Sequence, residues 1–270
     1  MSTGPASVPA AGTYLLHRGD APLLVSLPHD GSAIPPDLAA RMTPEARRAP
    51  DTDWHVSRLY AFASELGASL LVPRFSRYVV DLNRPPDDAS LYPGRNTTGL
   101  CPTVRFCNQP VYLQGAEPTP DEVGERVDAY WRPYHEALVG ELARLRGAHG
   151  RVLLWEGHSI RGSDLPFLFD GRLPDLNLGT GGGTTCAPAV QARIEHALAA
   201  QDAYDHVVNG RFKGGYITRH YGEPARGIDA VQLETSQRTY MDEETFEYDE
   251  AKAVRVQRVI RSLVEAALHL

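Results

Sequence analysis

Short runs of consecutive apolar residues alternate along the chain with longer stretches of helical periodicity. Apolar runs bounded by turn-forming residues predict buried strands at residues 21–28, 68–73, 78–82, 151–155, 207–208 and 231–234. Apolar residues spaced by three and four predict helices at residues 54–66, 120–145, 191–201 and 248–268. Strands that alternate with helices indicate a layered α/β fold.

Two segments without periodicity interrupt this pattern. Residues 84–119 are rich in Pro, Gly, Asn and Asp, which predicts a long loop, and such a loop in a compact domain is usually functional. The glycines at 181–183 do not follow a strand with phosphate-loop spacing, so we interpret them as a flexible loop. Without a repeat or a linker, the chain is predicted to form a single catalytic α/β domain over residues 13–270, after a flexible N-terminal arm at residues 1–12.

Composition narrows the class of protein. The 270 residues are 42% hydrophobic and 23% charged, as in ordinary soluble globular proteins. A net charge of −7 argues against a nucleic-acid surface but not against an anionic small molecule, which one or two arginines can bind. No segment approaches the ~20 apolar residues of a membrane helix. Three cysteines and no secretory signal predict reduced thiols in a cytoplasmic protein, and the oligomeric state stays open.

Three polar side chains occur where predicted strands end. His29 follows the first strand, His158 follows the strand at 151–155, and Glu234 ends the strand at 231–234. Open α/β sheets bind ligands at the carboxyl ends of their strands. Two histidines and a carboxylate, with a further Glu as base, are the ligands and base of a hydrolytic zinc site. Taken alone, a histidine after a strand is more often a surface or structural residue than a metal ligand, so spacing by itself does not establish the metal site.

A resemblance to a known family favours the metal site. Six segments in order along residues 23–240 resemble the N-formylglutamate amidohydrolase (deformylase) family: Ser26-Leu-Pro-His29-Asp-Gly, Asp51-Thr-Asp53-Trp54-His55-Val, Arg77-Tyr-Val-Val-Asp81-Leu-Asn-Arg84-Pro, Trp155-Glu-Gly-His158-Ser, Asn209-Gly-Arg-Phe-Lys-Gly-Gly-Tyr-Ile-Thr-Arg219-His220-Tyr-Gly and Gln232-Leu-Glu234. That family is similar in fold to zinc carboxypeptidases and aspartoacylases. The resemblance therefore implies three layers, with a mixed central β-sheet between helices, of the phosphorylase/hydrolase-like type.

The resemblance implies one divalent metal ion, Zn²⁺ or else Co²⁺ or another divalent ion. His29 and His158 match the two histidine ligands. The related enzymes carry a Glu three residues after the first His, but Ser32 occupies that position here. Asp53 is our substitute for the acidic ligand, and Asp51 is the second choice, although it also fits the N-cap of the helix that follows.

The same resemblance suggests residues for substrate and catalysis. Asn83 and Arg84 resemble a pair that holds the substrate carboxylate, for which a guanidinium is well suited. One of three residues in a Gly-flanked segment is expected to bind the second carboxylate of a dicarboxylic substrate: Arg219, His220 or Tyr221. Glu234 is the predicted general base, Arg77 the predicted group that polarises the scissile carbonyl, and Glu156 a candidate partner that orients His158.

These assignments imply hydrolysis of N-formyl-L-glutamate, a small dicarboxylic N-acyl amino acid, to L-glutamate and formate in histidine degradation. Two alternatives stay open: a zinc hydrolase of another N-acyl acidic amino acid or of a γ-glutamyl peptide, and a metal- or amino-acid-binding protein without catalysis. A general base beside two histidines argues against the binding protein. A serine hydrolase is disfavoured because the Gly-x-Ser-x-Gly motif is missing.

Overall fold

The computed structural model describes residues 12–91, 94 and 96–268, so the predicted arm lies outside the described residues except for Gly12. The strands are β1 (Tyr14–His17), β2 (Leu23–Ser26), β3 (Ser69–Pro73), β4 (Val152–Ile160), β5 (Leu176–Gly179), β6 (His206–Val208) and β7 (Ile228–Ser236). The helices are α1 (Pro36–Ala39), α2 (Val56–Leu59), α3 (Pro120–Arg126), α4 (Arg132–His149), α5 (Pro188–Ala199), α6 (Tyr216–Tyr221) and α7 (Glu250–Leu268). In the described part of the chain, no helix is long and apolar enough to cross a membrane.

The strands form one mixed sheet in the order β1-β3-β2-β4-β7-β5-β6. The central strands β3, β2, β4 and β7 run parallel, while β1 pairs with β3 and β5 pairs with β7 in the antiparallel sense. Parallel strands are normally covered on both faces, and β2 and β4 are buried along their whole length. The predicted mixed central sheet is confirmed.

Helices cover both faces of this sheet. Leu153 and Trp155 of β4 belong to one buried cluster, which includes side chains of α2, α5 and α7. Val152 and Leu154 belong to a second cluster, which includes side chains of α1, α4 and α6. Successive residues of a strand point to opposite faces, so cover on both faces explains why β4 is buried at every position. The finer expectation of a phosphorylase/hydrolase-like fold, similar to that of zinc carboxypeptidases, stays a prediction.

The predicted strand at 78–82 is wrong. These residues form turns, although Tyr78, Val79 and Val80 are buried, and they join the cluster on the α4 face of the sheet. The apolar run therefore reflects burial of a turn, which periodicity does not distinguish from burial of a short strand. The described residues between Arg84 and Thr119 contain neither helix nor strand, which agrees with the predicted loop.

The strand predicted at 151–155 extends further, so that Glu156-Gly-His158-Ser, expected to follow the strand as a loop, lies within β4. The backbone ladder with β7 continues to Ile160, and it sets His158 directly opposite Glu234. Gly157 is required by close packing, because a methyl group there would overlap Leu27 and Tyr60. The polar side chains thus belong to a strand that passes alongside the pocket described below.

The helix predicted at 120–145 forms, with a wider π-helical turn at Val127–Trp131 between α3 and α4. The helix predicted at 54–66 shortens to α2 and a following 3-10 turn, Ala61–Ser64. β1, β5 and α6 were not predicted, since each is only four to six residues long and carries little periodicity.

We expect Leu138→Ala to lower the free energy of unfolding by about 2–5 kcal/mol, because Leu138 of α4 is fully buried against the sheet. Val139→Ala is the matched control. Its side chain is 48% exposed, so its effect should stay within about 0.5 kcal/mol. Urea unfolding of both variants measures the difference. Equal losses would show that α4 packs through another face.

Candidate active site

Three buried side chains meet at the carboxyl ends of the central strands. His29 follows β2, Asp53 lies in the loop before α2, and His158 belongs to β4. One nitrogen or oxygen atom from each lies within 4.8 Å of the others. Two imidazoles and a carboxylate at this spacing could hold a divalent metal ion.

Each imidazole of this group has a second carboxylate on its far side. His29 Nε2 lies 2.7 Å from Asp81 Oδ1, and His29 Nδ1 faces Asp53 Oδ2 at 3.7 Å. His158 Nδ1 lies 3.1 Å from Asp53 Oδ2, while its Nε2 lies 3.6 Å from Glu156 Oε1. A carboxylate behind a metal-binding histidine fixes the ring orientation and raises the basicity of the ligand. The donor set and its surroundings therefore fit a metal such as Zn²⁺.

The charges in this group favour a cation at its centre. Burial works against the negative charge of Asp53, but hydrogen bonds from His158 and His29 outweigh burial and lower the pKa of Asp53. Burial likewise works against a charged His158, and the hydrogen bonds with Asp53 and Glu156 outweigh it and raise the pKa of His158 to about 10. A divalent ion bound by the same atoms would supply the positive charge that these carboxylates favour.

Glu234 lies beside this group. It is directly opposite His158 in the β4–β7 ladder, it is 7% exposed, and burial raises its pKa to about 8. Glu234 and the three metal-binding candidates line one pocket. The pocket is also lined by Arg77, Asn83, Arg84, Thr97, Thr98, Phe106, Ser159, Ile160, Leu168, Arg211, Phe212, Gly215 and Gln232. The fold thus brings together the predicted metal ligands, Glu234, Arg77, Asn83 and Arg84.

The turn at 77–83 is organised around Asp81, which is fully buried. Asp81 accepts hydrogen bonds from Arg77 Nη2 at 2.7 Å and from the backbone N–H of Asn83 at 2.9 Å, besides its contact with His29. Burial opposes its charge, but Arg77 and His29 outweigh burial and hold the pKa of Asp81 well below its ordinary value. One carboxylate therefore fixes the positions of three side chains that reach the pocket.

Arg219, His220 and Tyr221 are not among the described residues that line the pocket, and their role in substrate binding stays a prediction. Arg219 donates to the carbonyl oxygens of Gly214 and Leu91, at 2.9 and 3.2 Å. His220 stacks on Tyr216, and the Tyr221 hydroxyl lies 2.8 Å from His135 Nδ1. The physical reason is that the segment forms α6. Only the first turn of α6 contacts the site, where the Ile217 N–H donates to Asn83 Oδ1.

Sequence analysis missed several residues that line the pocket. Gln232 precedes Glu234 by two positions on β7 and so shares its face, a signal that strand periodicity provides. Arg211 lies in the loop after β6, and its only signal was its place in the Asn209-Gly-Arg-Phe segment. Phe106 and Thr98 come from the long loop, where sequence offers no rule for which side chains turn inward.

Comparison with known proteins agrees with this architecture. Residues 21–241 match the model of a family described as N-formylglutamate amidohydrolase. N-formylglutamate deformylase of Pseudomonas aeruginosa is 52% identical over 252 residues, which cover 93% of this chain and 94% of that protein. N-formylglutamate deformylase of Pseudomonas putida is 49% identical over 253 residues, again 93% and 94% of the two chains.

Solved structures show the same fold. The crystal structure of N-formylglutamate amidohydrolase from Ralstonia eutropha JMP134 superposes with a TM-score of 0.80 at 28% identity, over 95% of this chain and 96% of that one. A gene product of Agrobacterium tumefaciens, 18% identical, shares the fold with a TM-score of 0.70 over 95% and 93% of the two chains. From the family match and these relatives, the chain belongs to the N-formylglutamate amidohydrolase family.

Proposed function

We propose that this protein hydrolyses the formamide bond of N-formyl-L-glutamate to L-glutamate and formate, with a divalent metal ion held by His29, Asp53 and His158. One observation carries the proposal: a buried group of two imidazoles and a carboxylate shares a pocket with Glu234. The substrate is taken from the names of relatives that are about half identical to this chain. A role in histidine degradation in the cytoplasm follows as part of the proposal.

Zn²⁺ suits the donor set best, and Co²⁺ or another divalent ion could share the same ligands. A metal bound there would polarise the formyl carbonyl and lower the pKa of water. Arg77 is the proposed second source of positive charge. Its guanidinium lines the pocket 3.8 Å from Asp53. A positive charge there would stabilise the negative charge that develops on the carbonyl oxygen in the transition state.

Glu234 is the proposed general base. Its carboxylate takes a proton from the attacking water and returns it to the nitrogen of the departing glutamate. Burial raises the pKa of Glu234 to about 8, which is close to neutral pH. A carboxyl group with such a pKa can both accept and donate a proton. No other Asp or Glu besides Asp53 lines this pocket among the described residues.

Asn83 and Arg84 are proposed to bind the α-carboxylate of the substrate. Arg84 lines the pocket and is held by carbonyl oxygens: its Nε donates to Thr98 O at 2.9 Å and its Nη1 to Asn83 O at 3.1 Å. In the described part of the chain, no carboxylate pairs with Arg84. Its positive charge is thus positioned and available for an anionic ligand.

The first experiment measures formate release from N-formyl-L-glutamate before and after chelation, together with the metal content. We expect activity that falls with metal removal and returns with Zn²⁺. A metal-loaded protein that releases no formate would reject this substrate and favour another N-acyl acidic amino acid or a γ-glutamyl peptide. A loaded protein that hydrolyses none of these would favour a binding protein without catalysis.

Glu234→Gln should lower kcat by roughly 10²–10⁴-fold, because the amide cannot accept the proton of the attacking water. The variant should keep its metal, since Glu234 is outside the proposed ligand set. Steady-state kinetics and elemental analysis test both statements. A kcat near that of the unchanged enzyme would exclude Glu234 as the base.

His158→Ala should lose the metal itself, because only two ligands would remain. The matched control is His196→Ala, which removes an exposed histidine on α5 and should leave the metal content unchanged. Elemental analysis after dialysis measures both. Retention of one metal per chain in His158→Ala would remove His158 from the ligand set.

A further inference from the structure

A second cavity, of about 170 Å³, lies next to the pocket that holds Glu234. Among the described residues, three line both spaces: Phe106, Ser159 and Ile160. These three side chains therefore form a wall between the pocket and the cavity. The proposed mechanism uses none of them.

Two of the three wall residues belong to the sheet. Ser159 and Ile160 lie at the end of β4, where both are paired with β7. The Ser159 hydroxyl lies 2.6 Å from the Tyr240 hydroxyl, so this part of the wall is held by the sheet and by a buried hydrogen bond. Phe106 comes from the long loop and is the largest of the three side chains. Its size therefore determines how completely the wall closes.

The turn that carries Phe106 is held close to the metal-binding candidates. The Phe106 N–H donates to Asp51 Oδ2 at 2.8 Å, and Asp51 precedes Asp53 by two residues. Within the turn, the Arg105 N–H donates to the carbonyl oxygen of Gln109 at 2.8 Å. The Phe106 side chain is 8% exposed. Its ring is thus a fixed boundary of the pocket.

The Phe106 ring also faces the group proposed to stabilise the scissile carbonyl. The Arg77 guanidinium carbon lies 4.7 Å from the centre of the ring, which is the distance of a cation–π contact. Under the proposed function, the carbonyl oxygen of the substrate lies near Arg77, and a C=O bond is only about 1.2 Å long. The carbonyl carbon and the group attached to it therefore lie close to the Phe106 ring.

The size of that attached group distinguishes one acyl group from the next. It is a hydrogen atom in a formyl group and a methyl group in an acetyl group. Closely packed sites respond to a single methyl or methylene group, which changes kcat/KM by about 10–200-fold. Beyond the wall there is ample space, since an apolar cavity of about 150 Å³ is large enough for benzene.

We propose that Phe106 restricts the substrate to N-formyl amino acids by filling the space that a larger acyl group would occupy. This inference rests on the proposed function. Phe106 determines specificity and takes no part in proton transfer or metal binding. With a smaller side chain at position 106, the pocket opens into the second cavity, and an N-acetyl amino acid is accepted.

The test compares hydrolysis of N-formyl-L-glutamate and N-acetyl-L-glutamate by the metal-loaded enzyme. Phe106→Ala should lower the ratio of the two kcat/KM values, formyl over acetyl, about tenfold or more, with kcat/KM for the acetyl substrate rising. The intrinsic reactivity of the two amides is the same for every variant, so a change in the ratio reports the pocket. A gain of activity toward the acetyl substrate is a result that simple damage to the site would not give.

Phe212→Ala is the matched control. Phe212 lines the same pocket but is not among the described residues that line the second cavity, so its loss should change the ratio by less than about threefold. Phe106→Leu is the milder variant if Phe106→Ala does not fold, and it should shift the ratio in the same direction by about threefold or more. Thermal unfolding shows which variants are folded.

Failure of the inference and failure of the proposed function give different results. The inference alone is overturned if the unchanged enzyme hydrolyses the acetyl substrate as well as the formyl substrate, if the folded Phe106 variants keep its ratio, or if Phe212→Ala shifts the ratio equally. If the unchanged enzyme hydrolyses neither compound, the proposed function fails, and calorimetric binding of the same two compounds tests Phe106. Tighter binding of N-acetyl-L-glutamate by Phe106→Ala than by the unchanged protein supports the inference, and equal or absent binding overturns it.

Discussion

The site is built around the buried negative charge of Asp53, which its neighbours must compensate. Asp53 is 2% exposed, and an unpaired charge at such a position costs several kcal/mol. Its Oδ2 accepts the Ser159 N–H at 3.0 Å beside His158, and its own N–H donates to His29 O at 3.0 Å. Asp53 therefore contributes negative charge to the site and also connects the segment after β2 with β4 through hydrogen bonds. The site and the central sheet thus stabilise each other.

The β4–β7 register supplies the remaining part of the centre. Because side chains alternate along a strand, a shift of one residue would turn Glu234 to the opposite face, away from His158. Nine paired positions from Val152 to Ile160 fix this register, and Gly157 leaves room for the side chains of Leu27 and Tyr60 against β4. The position of the proposed base thus follows from backbone hydrogen bonding along a whole strand and needs no local contact of its own.

Side chains whose position follows from strand patterning could be predicted from the sequence, whereas side chains positioned by tertiary packing could not. His29, His158 and Glu234 could be found because each follows or lies within an apolar strand. The run at 78–82 was mistaken for a strand, since its apolar residues are buried in a turn around Asp81. Arg211 was missed because its direction depends on the carbonyl oxygens of Leu168 and Asn96, which are distant in sequence.

The two halves of the pocket differ in how they are held. The group of His29, Asp53 and His158 lies with Glu234 at the sheet and beside buried carboxylates, whereas Arg84 and Arg211 donate to carbonyl oxygens of loops. Rigid strands provide the accuracy that proton transfer needs, and loops tolerate changes of sequence better than strands do. Under the proposed function, substitutions near Arg84 would alter which acid is bound while Glu234 and the three buried side chains keep their geometry. Reaction type and substrate preference would then be separable properties of one pocket.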